Sequence, residues 1–109
     1  MKKEYNETEE LVARYCKALG HPARILILKF LASQSECYFG DLHEVLPLSK
    51  ATVSQHLSEL KDVGLIKGTF EPPKVKYCID KDNWEIAKKI IDDLFKLYNS
   101  DKIIKCCRY

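Results

Sequence analysis

Two sets of residues in this 109-residue chain have the types and spacing to do chemistry. The first is the run Ser49, Lys50, Thr52, Ser54, Gln55 and His56, followed at a distance by Lys67, Lys74 and Lys76. Short hydroxyl and amide side chains on one helix let its backbone approach the edges of base pairs, where bulky groups would hold it away. Gln55 has the donor and acceptor that pair with an adenine edge, and Ser54 and Thr52 reach phosphates or bases. The lysines offer charge to a phosphate backbone. His56 sits one step from Leu57, and base contact and half-burial are equally open for it.

The second set is the thiols Cys16, Cys37, Cys78, Cys106 and Cys107. Adjacent cysteines such as Cys106 and Cys107 can converge on one soft ion, whereas a disulfide between neighbours is strained. Cys16 falls on the apolar side of a helix and reads as packing, since a free cysteine behaves as a small hydrophobe. Cys78 shares a strand face with Lys74 and Lys76 and reads as incidental. For Cys37, a functional and a passive role are both open. An odd number of cysteines behind an N-terminus without an apolar leader argues for reduced thiols in the cytoplasm rather than a disulfide framework.

The elements that must position these groups follow from periodicity. Leu11, Val12, Tyr15, Cys16 and Leu19 recur at helical spacing over residues 8–19, and Gly20 is placed to end that helix in a left-handed cap. Pro22 opens a second helix, 22–32, apolar on all sides and therefore central. A short third helix fits 39–46, with Leu42, Val45 and Leu46 turned inward and Pro47 closing it. Ser49 caps a fourth helix, 50–63, that buries Val53, Leu57 and Leu60 and exposes Ser54, Gln55, Ser58 and Lys61. Strands over 65–70 and around Val75, Tyr77 and Ile79 make a hairpin through Glu71-Pro72-Pro73. Asp82 and Glu85 form a capping box for a last helix with a broad apolar face.

The predicted fold is mostly α with a small β-hairpin: a winged helix-turn-helix ordered α-α-α-α-β-β-α, one domain over residues 1–109, with a cysteine-bearing tail at 101–109. Hydrophobic residues make up 46% of the chain, too many for disorder, and a net charge of +2 does not by itself mark a nucleic-acid binder. No apolar run approaches a membrane span. Three histidines on separate elements, with no phosphate loop and no nucleophile motif, leave an enzyme unsupported, and no metal is expected to be needed for folding. The terminal helices carry matching apolar stripes, so a homodimer is expected with Leu11, Tyr15, Cys16, Leu94 and Tyr98 at its interface.

The run from Leu48 through Ser49-Lys50-Ala51-Thr52-Val53-Ser54-Gln55-His56-Leu57 to Gly64-Leu65-Ile66 resembles the recognition-helix signature of the ArsR/SmtB repressors. Ala18-Leu19-Gly20-His21-Pro22-Ala23-Arg24-Ile25-Leu26-Ile27-Leu28 resembles that family's entry into its second helix, and Gly40-Asp41-Leu42 the start of its third. The resemblance covers residues 10–98. It implies a dimer on double-stranded operator DNA, an imperfect inverted repeat, released by a metal, metalloid or other signal. The family's Cys-x-Cys pair is absent, its positions reading Tyr38 and Gly40 with Cys37 one residue upstream, and the last helix holds no histidine for a zinc site. With that pair missing, the expected inducer is trivalent arsenic or antimony held by Cys106 and Cys107, with Cys37 or Cys16 as third thiolate. A repressor of the same fold that senses thiol oxidation at Cys106 or Cys107, or a non-metal signal, is the alternative, and a winged helix serving only protein contact is a different function kept beside it.

Overall fold

The computed structural model describes residues 4–99 and contains four helices and a three-stranded antiparallel sheet. Helix α1, Glu7–Leu19, starts from a complete capping box in which the Asn6 side chain accepts from the Glu9 N–H and the Glu9 carboxylate accepts from the Asn6 N–H. Glu7, Glu9 and Glu10 in its first turn complement the helix dipole. Gly20 follows, but not in the left-handed cap expected of it: its φ is −81° and its ψ 36°. The chain turns at once into α2, Pro22–Ser33, capped by the His21 ring, which accepts from the Ala23 N–H at 3.0 Å.

The expected third helix is replaced by two smaller elements. Tyr38–Phe39 forms strand β1, and Leu42–Glu44 makes a single 3-10 turn. Gly40 is the physical reason. Its φ of +121° breaks a right-handed helix at its second residue, and its N–H donates to the Val75 carbonyl at 3.2 Å, which spends residues 38–40 on the sheet. Leu42 and Leu46 still point into the core, while Val45, expected inside, is exposed.

Helix α3, Lys50–Asp62, is capped by Ser49, whose hydroxyl accepts from the Thr52 N–H at 3.2 Å, and ends at Gly64 with φ +85°. Strands β2, Ile66–Glu71, and β3, Lys74–Ile79, form the hairpin, and β1 adds to the other edge of β3, giving the order β1-β3-β2. Helix α4, Lys81–Phe95, is capped two residues earlier than expected, by Asp80, which accepts from the Asn83 N–H. The Asn83 amide also donates to the Gly64 carbonyl at 2.9 Å, fastening α4 to the end of α3.

One core joins these elements. Ile27, Leu42, Leu60 and Leu65 are fully buried, surrounded by Tyr15, Leu28, Leu31, Val53, Leu57, Ile66 and Ala87. Each such aliphatic side chain contributes about 1.5–3 kcal/mol on burial. Among the described residues no helix is long and apolar enough to cross a membrane.

Candidate nucleic-acid interface

Helix α3 divides cleanly between core and solvent. Val53, Leu57 and Leu60 anchor it, and Ser49, Lys50, Ser54, Gln55, Ser58 and Lys61 are exposed on its other sides. Thr52 is half-buried, and its hydroxyl accepts from the Ser49 hydroxyl at 2.9 Å. The outward face thus presents small hydroxyls, one amide and one ammonium near the helix N-terminus, without a bulky side chain that would hold the backbone off a groove.

His56 does not belong to that face. It is 5% exposed, and its Nδ1 accepts from Arg24 Nε at 3.0 Å. Its ring lies against that of His21, with centroids 4.3 Å apart. Arg24 also donates through a terminal nitrogen to the Ala18 carbonyl at 3.2 Å, so one guanidinium ties the end of α1 and the start of α2 to the middle of α3. Burial holds the His56 pKa below its ordinary 6.5, and the neighbouring His21 and Arg24 push the same way against a weaker opposing pull from Glu59. His56 is a neutral structural acceptor, because an imidazolium there would lose the Arg24 hydrogen bond and face its charge. Sequence reasoning missed Arg24 and His21. The one local sign in the sequence is Arg24 itself, a guanidinium in the first turn of a largely apolar helix.

The hairpin carries its lysines on one side. The register pairs Lys67 with Cys78, Thr69 with Lys76 and Glu71 with Lys74, so Lys67, Lys74 and Lys76 share a face. Lys67 and Lys74 are exposed. Lys76 is half-buried, 3.2 Å from the Glu71 carboxylate and 5.9 Å from the centroid of Phe39. Two cations therefore stand open on the wing, and the third is partly neutralised.

The thiols lie elsewhere than expected. Cys37 and Cys78, read from sequence as free, are joined in a disulfide across β1 and β3. The strand pairing that brings them together runs over 41 residues of sequence, a separation that residue spacing does not reveal. Cys16 is exposed rather than packed in the core and is the free thiol among the described residues. The readings for Cys106, Cys107 and the 101–109 tail lie outside the described residues. Asp41, His43 and Glu44 bring ligand atoms within 4.8 Å of one another on the 3-10 turn, an open oxygen and nitrogen set without a thiolate.

Of the residues expected between protomers, Tyr15 is 3% exposed and belongs to the protomer's own core, because α1 packs that face on α4 and α2. Leu11 is half-buried, while Leu94 and Tyr98 are exposed together with Phe95 and Leu97. Beside them a groove of about 580 Å³ is lined by Leu19, Trp84, Ala87, Ile91 and Phe95.

Residues 21–67, from the His21 cap through α3 into the hairpin, match the family described as bacterial regulatory protein, arsR family. The chain is 34% identical over 89 residues to the HTH-type transcriptional regulator YgaV of Escherichia coli K12, covering 82% of this chain and 87% of that protein. Among solved structures it is similar to HlyU of Vibrio cholerae, at 28% identity and a TM-score of 0.64, covering 86% of this chain and 98% of that one. It is also similar to the cadmium metal-sensor CmtR of Mycobacterium tuberculosis, at 30% identity and a TM-score of 0.54, covering 86% of this chain and 84% of that one. With the helix-turn-helix, the basic hairpin and these relatives, the chain belongs to the ArsR family of winged-helix DNA-binding transcriptional repressors.

Proposed function

We propose that this repressor works as a cytoplasmic homodimer on an imperfect inverted repeat and leaves it when a thiophilic inducer, trivalent arsenic or antimony, binds its thiols. The observation that carries the DNA half is the outward face of α3, small and polar, followed directly by a hairpin with Lys67 and Lys74 exposed. Gln55 reads a base edge, and the wing lysines hold phosphates. Leu94, Phe95, Leu97 and Tyr98 leave an apolar face at the end of α4 that a second copy would cover.

For the inducer, Cys106 and Cys107 supply two soft ligands. Cys16, exposed on α1, suits the third position better than Cys37, whose sulfur is bonded to Cys78 until reduced. The similar CmtR is a cadmium sensor, which supports a soft ion as signal. Release needs only that the ion bind the DNA-free form more tightly, and a ~100-fold preference amounts to about 2.7 kcal/mol.

The test is a gel-shift on the DNA upstream of the chain's own gene at fixed salt. Gln55→Ala is expected to lose about 1–3 kcal/mol of specific binding and to relax sequence preference. Lys74→Ala is expected to weaken binding to every sequence and to flatten its salt dependence. Unchanged affinity in both variants overturns the reading. Arsenite titrated onto the complex is expected to release it, and Cys106→Ser with Cys107→Ser to abolish that release.

A further inference from the structure

Cys37 and Cys78 are a registered pair rather than an accidental contact. β1 pairs Tyr38 with Tyr77 and Phe39 with Lys76, and Gly40 donates to the Val75 carbonyl. Continued by one residue, that register sets Cys37 opposite Cys78, with Cα atoms 4.5 Å apart. This is the separation of a non-hydrogen-bonded antiparallel pair, where side chains on one face come closest. The strand register therefore sets the two sulfurs against each other. Both are half-buried, and both line a cavity of about 670 Å³ that also contains Lys76, Lys81, Glu36 and Trp84. A small reagent reaches the pair from that cavity.

The pair also lies on the lysine face of the wing, with Cys78 two residues from Lys76 and opposite Lys67. Apart from the sulfur bridge, β1 is a strand of two residues, which is little pairing to hold the edge of β3. Phe39, the residue beneath the Lys76 ammonium, belongs to that same short strand.

We propose that Cys37 and Cys78 are a redox modification site, oxidised by a hydroperoxide, whose disulfide clamps the wing to the α2–β1 connection and tightens DNA binding. The inference rests on the DNA-binding reading above for its consequence, though not for its chemistry. One thiolate attacks a peroxide oxygen, the O–O bond breaks, and a sulfenic acid forms as hydroxide or alkoxide leaves and takes a proton from solvent to become water or an alcohol. The second thiolate attacks that sulfur, the S–O bond breaks, and the hydroxide leaves with a proton as water. Two electrons pass from the two sulfurs to the peroxide, and exchange with an external dithiol, itself oxidised to a disulfide, returns the pair to thiols. With the clamp closed, β3 is ordered before it meets DNA, so less of the wing's freedom is lost on binding.

The experiment uses the full chain, reduced with dithiothreitol or oxidised with stoichiometric hydrogen peroxide, with peptide mapping to locate the bridge. Affinity for the upstream duplex is measured by fluorescence anisotropy at one salt concentration. The oxidised form is expected to bind about tenfold more tightly, the equivalent of ordering roughly one residue in advance. Cys37→Ser with Cys78→Ser is expected to show the reduced affinity under both conditions. Amide exchange at Gly40 and Tyr77, on the β1-facing side of the pairing, is expected to slow on oxidation. A bridge that does not form at Cys37 and Cys78, an affinity that is equal or weaker when oxidised, or a peroxide effect that persists in the double variant overturns the proposal. DNA binding in neither state refutes the DNA-binding reading instead, and amide exchange then decides the clamp: slower exchange in the oxidised form upholds it, and equal exchange overturns it.

Discussion

Helix α3 and strand β1 flank the same wing, yet opposite kinds of force hold them. α3 is fixed by side chains: Val53, Leu57 and Leu60 are buried along one stripe, and Ser49 caps its start. β1 is fixed by backbone and sulfur: two residues paired to β3, one further hydrogen bond from Gly40, and the Cys37–Cys78 bridge. The first arrangement is indifferent to redox conditions and sensitive to a lost methyl group. The second adds an aromatic contact, Tyr38 edge-on to Phe30 with centroids 5.0 Å apart, and is sensitive to a thiol. A wing set between them takes its position from both.

That contrast breaks most sharply at the bridge. Reducing it frees a loop spanning 41 residues, which chain entropy values at up to about 4 kcal/mol of global stability. Thermal melts with and without dithiothreitol are expected to differ by that much in the native chain and not at all in Cys37→Ser with Cys78→Ser. Identical melts of the native chain under both conditions would show that strand pairing and the Tyr38–Phe30 contact hold β1 without the bridge. On the other side of the comparison, Leu60→Ala empties a fully buried position and is expected to destabilise by about 3 kcal/mol in urea titration, equally in reduced and oxidised protein. A redox-dependent loss there would mean that the two regions are coupled.

The same contrast explains what could be read from the sequence. The faces of α3 were legible because Val53, Leu57 and Leu60 repeat at helical spacing and Ser49 and Gly64 mark the ends, all local signals. The hairpin was legible from the alternation of Val75, Tyr77 and Ile79. β1 was not, because Tyr38 and Phe39 become a strand only when their partners Tyr77 and Lys76 arrive from 39 and 37 residues away, and the helical spacing of Leu42, Val45 and Leu46 outweighed the warning of Gly40. His56 stayed undecided for a related reason. Its position beside Leu57 left its direction open, and its partner Arg24 lies on another helix. The bridge required the same long-range register, so Cys37 and Cys78 read as unrelated thiols.

A smaller effect sharpens the local side. Ser49→Ala removes the hydroxyl that accepts from the Thr52 N–H and also the donor to the Thr52 hydroxyl. Loss of such a cap costs about 1 kcal/mol. Because the cap shapes the end of α3 that carries Lys50, the variant is expected to lose affinity for DNA as well as stability, and Ser49→Asp, which restores an acceptor, to recover the stability. Failure of Asp to recover it would place the serine's contribution in the Thr52 hydroxyl rather than in the cap.

The smallest expected effect is one of pH, and it tests whether α3 is held by burial alone. His56 is neutral in the folded chain, its pKa lowered first by burial and then by His21 and Arg24. The unfolded chain, with an ordinary histidine near 6.5, takes up the proton at higher pH than the folded chain does. Stability from His56 is therefore fully present above pH 6.5 and declines as pH falls below it toward the lowered folded-state pKa. His56→Gln keeps an acceptor for the Arg24 guanidinium and cannot titrate. Melts of both proteins at pH 7.5 and pH 5.5 are expected to show a steeper acid loss in the native chain than in the variant. Parallel losses would mean that His56 is protonated without penalty, and that the Arg24 hydrogen bond plays no part in seating α3.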